Sequence, residues 1–479
     1  MYTDVTFQDW ERAPEQERPA MLAEIVTRYK LSPEFTRAME AQQYFEGENP
    51  TVLSKYILRK GRYEYKTHDE HGNTVTRYAD RTEHLTGAQV ASNFLFRFVT
   101  QLNQYVLANG ARIDKAPASD FLGHAFDKAL EQIGEKALLH GVCWGFWNAD
   151  HVEVIPAARD AYSGFVALVD EMSGLPRVGV QFWQIDATRP LHVRLFEEDG
   201  YSVYRREDGK LRLVQEKRPY KLIVASDSAG EMTVGAENYG ALPVVPLYAN
   251  SEHRSELSTA IKAKIDAYDR IASDFVDNLD QANDVYWVLN NFGGNTSEML
   301  DMLRQVREYR MVANISDGTG SGSTAEPRSF EVPYNARQTA LAILSRELYK
   351  DSMAMDMQEL TGGSLTNVAI RTATANLNLK ADRFEWQIFS FVQQLLRLSG
   401  HETEDIVFRR QTIANDSETV ADIAIMRDYI DDRTALELNP YIPADQIDRI
   451  LANLDAQRLT GFTGAEAANS AAGGGGADV

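Results

Sequence analysis

From Ser255 to Asn283 the sequence repeats with the period of a single long helix, and no other stretch limits the fold so narrowly. At about 100° per residue, Leu257, Ile261, Tyr268, Ile271, Phe275 and Leu279 gather on one face, with Ile265 and Val276 on its flank. Asp266, Asp269, Asp277, Asp280 and Asp284 gather in a narrow sector on the opposite side. Lys262 and Arg270 share that sector, four residues to either side of Asp266, so part of the charge is expected to pair locally. Periodicity alone reads this acidic stripe as a solvated helix face.

The surroundings of the helix set the fold class. After it the patterns predict a strand from Asp284 to Phe292, a helix from Ser297 to Arg310, a strand from Met311 to Ile315, a Gly/Ser loop from Gly318 to Ser323 and a strand from Ser329 to Val332. A helix from about Asn335 to Met355 follows, and beyond Thr361-Gly362-Gly363-Ser364 a very long one from about Thr366 to Ser399. Long helices therefore bracket a small α/β insert. Upstream, helices are expected over Pro14 to Tyr29, from Ser32-Pro33 onward, over Gly87 to Asn109 and over Phe121 to His140, with Phe94, Phe96 and Phe98 in the core. Arg62 to Arg77 alternates around His71-Gly72-Asn73 as a hairpin, and Asp150 to Val245 reads as antiparallel strands at Val178 to Trp183, His192 to Phe196, Tyr201 to Arg205, Leu211 to Glu216 and Lys221 to Ala225. Helices return over Ser417 to Gln457, and the Ala/Gly-rich run from Gly461 to Val479 is expected to be disordered. The class is α+β, with no alternation of strands and helices to suggest a doubly wound nucleotide-binding sheet.

Chemistry is hard to find in this chain. Gly318, Gly320 and Gly322 lack a following lysine and lead into a strand rather than a helix, so they read as a loop tip and not a phosphate cradle. The nine histidines show no metal-ligand spacing, and acidic pairs such as Asp431-Asp432 have no partner base. The expectation is a non-enzyme without cofactor or metal. A net charge of −21, from 49 basic and 70 acidic residues, argues against a protein that grips nucleic acid by its phosphates, but suits a conduit to which a polyanion must not stick. The single cysteine, Cys143, is expected as a small buried apolar residue and fits assembly in a reducing cytoplasm. No run approaches the roughly 20 apolar residues of a membrane span.

Several strings, in this order and spacing, resemble the portal proteins of long-tailed phages of Gram-positive hosts. Leu242-Pro243-Val244-Val245-Pro246, then Asn250 and Ser255-Glu256-Leu257, resemble that family's entry to its stem helix, and Ile265-Asp266-Ala267-Tyr268-Asp269 with Ser273-Asp274 the helix itself. Glu347-Leu348-Tyr349-Lys350, Gly362-Gly363 and Leu377-Asn378-Leu379-Lys380-Ala381 are similar to the run from the second stem helix to the long crossing helix. Asn415-Asp416-Ser417-Glu418 and Asn439-Pro440 resemble the crown.

The resemblance implies a portal-type fold: wing over residues 1–253, stem helix 254–283, clip 284–333, second stem helix 334–355, tunnel loop 356–366, long wing helix 367–399 and crown 400–460, before a disordered tail, 461–479. It also implies a ring of twelve copies at one capsid vertex of the virion, the channel for packaging and ejecting double-stranded DNA. The implied partners are the large terminase subunit, a head-completion adaptor, and the major capsid and scaffolding proteins. Another ring-forming head–tail connector component is the alternative. On this reading Asp266, Asp277, Asp280 and Asp284 line the channel or its rim. The tunnel loop would meet DNA through Gln358, Ser364, Thr366 and Asn367, with Gly362 and Gly363 as its least constrained residues.

Overall fold

A computed structural model describes residues 3–53, 59–68, 74–83, 87–226, 232–282, 286–290, 324–328, 333–356, 366–403, 405–411, 415–443, 446–454 and 456. The expected helix at 297–310, the strands at 311–315 and 329–332, the Gly/Ser loop, most of the tunnel loop and the tail lie outside these residues.

The N-terminal helices α1 (Phe7–Arg12), α2 (Arg18–Lys30) and α3 (Pro33–Phe45) are set by local chemistry. Thr6 and Asp9 form a reciprocal capping box on α1, and Ser32 accepts from the Phe35 amide at 3.2 Å with Pro33 at the first position of α3. A short α4 (Pro50–Leu53) leads to the expected hairpin, β1 (Arg59–His68) with β2 (Thr74–Glu83), paired in register from Arg59↔Glu83 to His68↔Thr74.

Helix α5 (Phe94–Leu107) starts later than the sequence suggests, because residues 87–93 form no helix. Phe94 and Phe98 are buried on one side of it, whereas Phe96, about 200° away, is 44% exposed. Strands β3 (Ala111–Ile113) and β4 (Ala116–Pro117) follow. The expected helix from Phe121 is split into α6 (Ser119–Leu122) and α7 (Phe126–His140). Gly123, at φ 92°, makes the break, where a Cβ would meet the Asp150 carbonyl oxygen at 2.2 Å.

From α7 the chain enters β5 (Val142–Asn148) and β6 (His151–Pro156), then β7 (Ala158–Asp160), β8 (Ser163–Val169), β9 (Pro176–Trp183), β10 (His192–Glu197), β11 (Gly200–Glu207) and β12 (Lys210–Arg218). The last six form an antiparallel sheet in the order β12-β11-β10-β9-β8-β7. The α1–α3 layer packs on it through Trp10, Leu22, Ile25, Tyr29 and Phe35 against Val166, Val180, Phe182 and Val193. After the hairpin of β13 (Lys221–Ser226) and β14 (Met232–Glu237), strand β15 (Val244–Tyr248) pairs with β5. The antiparallel reading of this region is therefore correct, and Cys143 on β5 is buried as expected.

The long elements come next: α8 (Thr259–Ala282), the antiparallel pair β16 (Tyr286–Asn290) and β17 (Thr324–Arg328), α9 (Tyr334–Asp351) and α10 (Asn367–Ser399). Helix α10 runs 33 residues from a Thr366 cap to Gly400 in the left-handed region, burying Leu377, Ala381, Phe384, Ile388, Phe391, Val392, Leu395 and Leu396. These join residues of α5 and α7 in the larger core. Strand β18 (Ile406–Phe408) then pairs with β3, and α11 (Asp416–Met426) and α12 (Asp432–Glu437) follow, with a further helical run over 447–454. Asp431 caps α12, accepting from the Thr434 amide.

Gly141 is the turning point between the α7 and β5 layers. It sits at φ 86°, and a Cβ there would approach the His253 carbonyl oxygen at 2.5 Å. The connector from β15 to α8 is bonded to the same end of α7, with the Ala249 amide on the Gly141 carbonyl at 3.0 Å and the Glu256 amide on the Leu138 carbonyl at 2.9 Å. Gly141→Ala is expected to cost at least about 1–2 kcal/mol from the left-handed backbone alone, with the contact to His253 in addition. A thermal-unfolding scan of the full-length protein should show the midpoint fall by several degrees; an unchanged midpoint would mean that the connector yields freely.

Candidate functional site

Helix α8 buries a different line from the one its hydrophobic pattern suggests. The side chains that lose their water are Ile261, Ile265, Asp269 and Ser273, in steps of four, while Val276 and Leu279 are 38% and 43% exposed. Asp269, at 0% exposure, is the opposite of a solvated stripe residue.

The segment before α5 explains this. Its Ala88 amide donates to Asp277 Oδ1 at 2.6 Å, the Val90 amide to Ser273 Oγ at 3.0 Å and the Ser92 amide to Asp269 Oδ1 at 3.0 Å. Alternate amides of an extended chain point to one side and recur every ~6.6 Å, and four residues of helix rise ~6 Å. The two repeats match over these three bonds, running antiparallel. Asn49 Nδ2, just before α4, completes the set by donating to Asp269 Oδ2 at 2.7 Å. Both sides of the β1–β2 hairpin are thus tied to α8. Burial raises the Asp269 carboxyl above the ordinary carboxylate range, although the bonds from Ser92 and Asn49 pull the other way.

Asp266 and Asp277, both placed at the channel by the sequence reading, are half-buried and hold bonds within the chain. Asp266 accepts from the Tyr44 hydroxyl at 2.5 Å, and Asp277 from Ala88. Lys262 pairs with Glu40 at 2.5 Å instead of with Asp266, and Lys264 reaches Asp351 at 2.6 Å, joining α8 to the end of α9. The side chains of Asp280 and Asp284 lie outside the described residues, as do Gln358, Gly362, Gly363 and Ser364. Of the remaining loop candidates, Thr366 caps α10 through the Ala369 amide at 3.2 Å. Asn367 bonds to the first turn of α11 and the residue before it: its amide to Glu418, its Oδ1 from the Asn415 amide and its Nδ2 to Thr419.

The end of α9 is fixed from two sides. Met353 takes φ 54°, and the bonds from the Met353 amide to Lys350 and from the Ala354 amide to Tyr349 close the helix in the manner usually left to glycine. The side-chain amide of Gln101, on α5, then clamps Met355, donating to its carbonyl at 3.0 Å and accepting from its amide at 2.9 Å. Lys380 of α10 completes the junction. Its ammonium pairs with Glu256 at the entry to α8 and donates to the Ser352 carbonyl at 2.7 Å, with the two charged side chains only 15% and 12% exposed. Sequence reasoning missed Asp269, Gln101, Glu256 and Lys380 as anchors, although Glu256 and Lys380 sit inside two of the strings that carry the family resemblance. Among the described residues, no group of three or more His, Cys, Asp and Glu is placed to hold a metal ion. Nor, among the described residues, is any helix long and apolar enough to cross a membrane.

Long helices bracketing a strand pair, tied at both ends to a mixed layer, are the features that matter for comparison with known proteins. The family model described as "Phage portal protein, SPP1 Gp6-like" matches residues 28–458. The chain belongs to that family. Among its relatives, the portal protein of Clostridium phage phiCD119 is 22% identical over 318 residues, 64% of this chain and 69% of that one. The portal protein of Bacillus phage SPP1 is 30% identical over 240 residues, 46% of each chain. The chain is thus a phage portal protein, a structural assembly component, and its family implies a ring oligomer associated with the capsid. The rival reading, a shorter connector component, has no place in that match.

Two outcomes follow for this portal protein. Because folded Asp269 holds its proton more tightly than the unfolded chain does, its contribution to stability is full below the ordinary carboxylate range and is lost as pH rises through the raised value. Asp269→Asn should flatten that slope in a melting series taken from the carboxylate range upward. It also turns one acceptor into a donor, so the Ser92 or Asn49 bond is lost and amide exchange at Val90 and Ser92 should quicken; unchanged exchange there would sink the anchoring role. Lys380→Met leaves Glu256 without its counter-charge and should cost on the order of 3 kcal/mol. Adding Glu256→Gln should recover most of that loss in the same unfolding measurement, and additive losses would show that the pair is not coupled.

Proposed function

We propose that this portal protein forms a twelve-copy ring at one capsid vertex and serves as the conduit for packaging and ejecting double-stranded DNA. The family match over residues 28–458, which spans both long helices and the insert, is the observation that carries the reading. Residues 1–253 and the long helix α10 form the wing, α8 and α9 the stem, residues 284–333 the clip and 400–460 the crown. The large terminase subunit docks on the clip during filling and supplies ATP hydrolysis, and a head-completion adaptor replaces it afterwards. The wing and crown meet the major capsid and scaffolding proteins. Assembly takes place in the host cytoplasm.

The channel wall is negative. Asp280 and Asp284, the C-terminal members of the acidic sector read from the sequence, face the passing polymer, and Asp266 and Asp277, which also hold bonds within the chain, add to the field. A net charge of −21 supports a wall from which phosphates are repelled. The loop of residues 356–366 forms the constriction, with Gln358, Gly362, Gly363 and Ser364 nearest the DNA. Thr366 and Asn367, whose side chains are held in caps and hydrogen bonds, act as its anchors.

The test is charge reversal. Asp280→Lys with Asp284→Lys should leave rings with a central hole in negative-stain images. It should also slow DNA packaging, more strongly at low salt, where the Debye length grows from about 10 Å at 0.1 M to about 30 Å at 0.01 M. Packaging that is indifferent to both the reversal and salt would falsify the wall, and a protein that stays monomeric at high concentration would remove the ring.

A further inference from the structure

Helix α11 has no buried residue of its own. At 11 residues it is also too short to persist by propensity. Within the chain its first turn is held by the start of α10, where two helix N-termini face each other. That arrangement sets two positive dipole ends together and is unfavourable unless acceptors intervene.

The acceptors come crosswise. Glu418, in the first turn of α11, accepts from the Asn367 amide at 2.6 Å, which is one of the amides that α10 cannot satisfy itself. Asn367 returns the bond, its Oδ1 accepting from the Asn415 amide at 2.9 Å, while its Nδ2 lies 3.4 Å from Thr419 Oγ1. Asn415 in turn caps α11 through the Ser417 and Glu418 amides. Each helix start is therefore finished by a residue of the other. Asn367 uses its amide, its acceptor and its donor in this joint.

We propose that Asn367 is a positioning residue that makes α11 and α10 move as one body, instead of a group that touches DNA. Helix α10 is continuous from this joint to Leu395 and Leu396 in the main core, so a displacement of α11 is carried along a rigid rod into the wing. Within the segment proposed as the crown, β18 is already paired with β3 and Arg410 with Glu385 of α10, and the Asn367 joint adds α11 to those ties to the wing. The loop proposed as the constriction ends at Thr366, the residue just before Asn367.

Hydrogen exchange of the full-length protein reads the joint directly. Glu418→Ala removes a charged acceptor and should speed exchange at Ser417, Glu418 and Thr419 by about tenfold; Asn367→Ala keeps the backbone amide but loses the neutral bonds of its Oδ1 and Nδ2, and should speed the same amides by roughly fivefold. The double variant should be no faster than Glu418→Ala alone. Asn367→Asp keeps the acceptor but sets a carboxylate against Glu418, so it should deprotect α11, and Glu418→Gln in the same chain should restore protection. Additive single effects, or α11 exchange at the wild-type rate in Asn367→Ala, overturn the joint. So does altered DNA retention by Asn367→Ala with α11 exchange unchanged, which would make Asn367 a DNA contact. Exchange responds whether or not DNA is packaged, so failure of the joint and failure of the channel reading are distinct results.

Discussion

An ammonium group withdrawn from water must find oxygen atoms to replace the solvent, and Lys380 finds them where three helices meet. Its Glu256 partner enters α8, its Ser352 carbonyl partner ends α9, and its own backbone lies in α10. Glu256 is also bonded through its amide to Leu138 at the end of α7. One ion pair therefore specifies the mutual placement of four helices that apolar packing alone would hold only loosely in register. Hydrophobic contact around it, through Leu348, Leu377 and Ala381, supplies most of the stabilisation, but contact of that kind is non-directional. The charged pair decides which of the available packings is adopted, because any sliding that separates the partners leaves a buried charge unpaired.

The polar line on α8 works differently. Its members, Asp269, Ser273 and Asp277, follow one another at four-residue spacing. They accept from backbone amides that have no strand beside them. A segment running over a helix has unsatisfied donors, and short oxygen-bearing side chains at four-residue spacing are the acceptors that fit. The hairpin of β1 and β2 is carried on this arrangement from both flanks, through Asn49 on one side and Ala88 to Ser92 on the other.

What the sequence shows and hides follows from these interactions. The antiparallel region was legible because its strands alternate between a buried and an open face, as in Val193 and Leu195 against His192 and Arg194. The Ser32 cap and the length of α10 were legible in the local pattern, whereas the Thr366 cap was not recognised. Residues 87–93 were misread as helix because the bonds that hold them come from residues nearly two hundred positions away. Asp269 was misread because a helical wheel assigns every carboxylate to solvent. The available signal was chemical: a solvated face favours long Glu, Lys and Arg, whereas this line is Asp, Ser and Asp. Of the candidate site residues, Asp266, Asp277, Thr366 and Asn367 hold bonds within the chain, and no periodicity argument separates an anchor from a channel wall.

The only cysteine in the sequence lies at 0% exposure on β5, and burial pushes its thiol up to about 12. Such a group is protonated and inaccessible near neutrality, and thiolate chemistry passes it by. In the folded chain this thiol is therefore expected to react slowly with maleimides and in disulfide exchange. A cysteine placed anywhere on its surface becomes a unique address, for a spin label, a fluorophore or a bridge to an adjacent copy, without first removing a native residue. Distances across an assembled ring can then be measured on a chain otherwise unaltered.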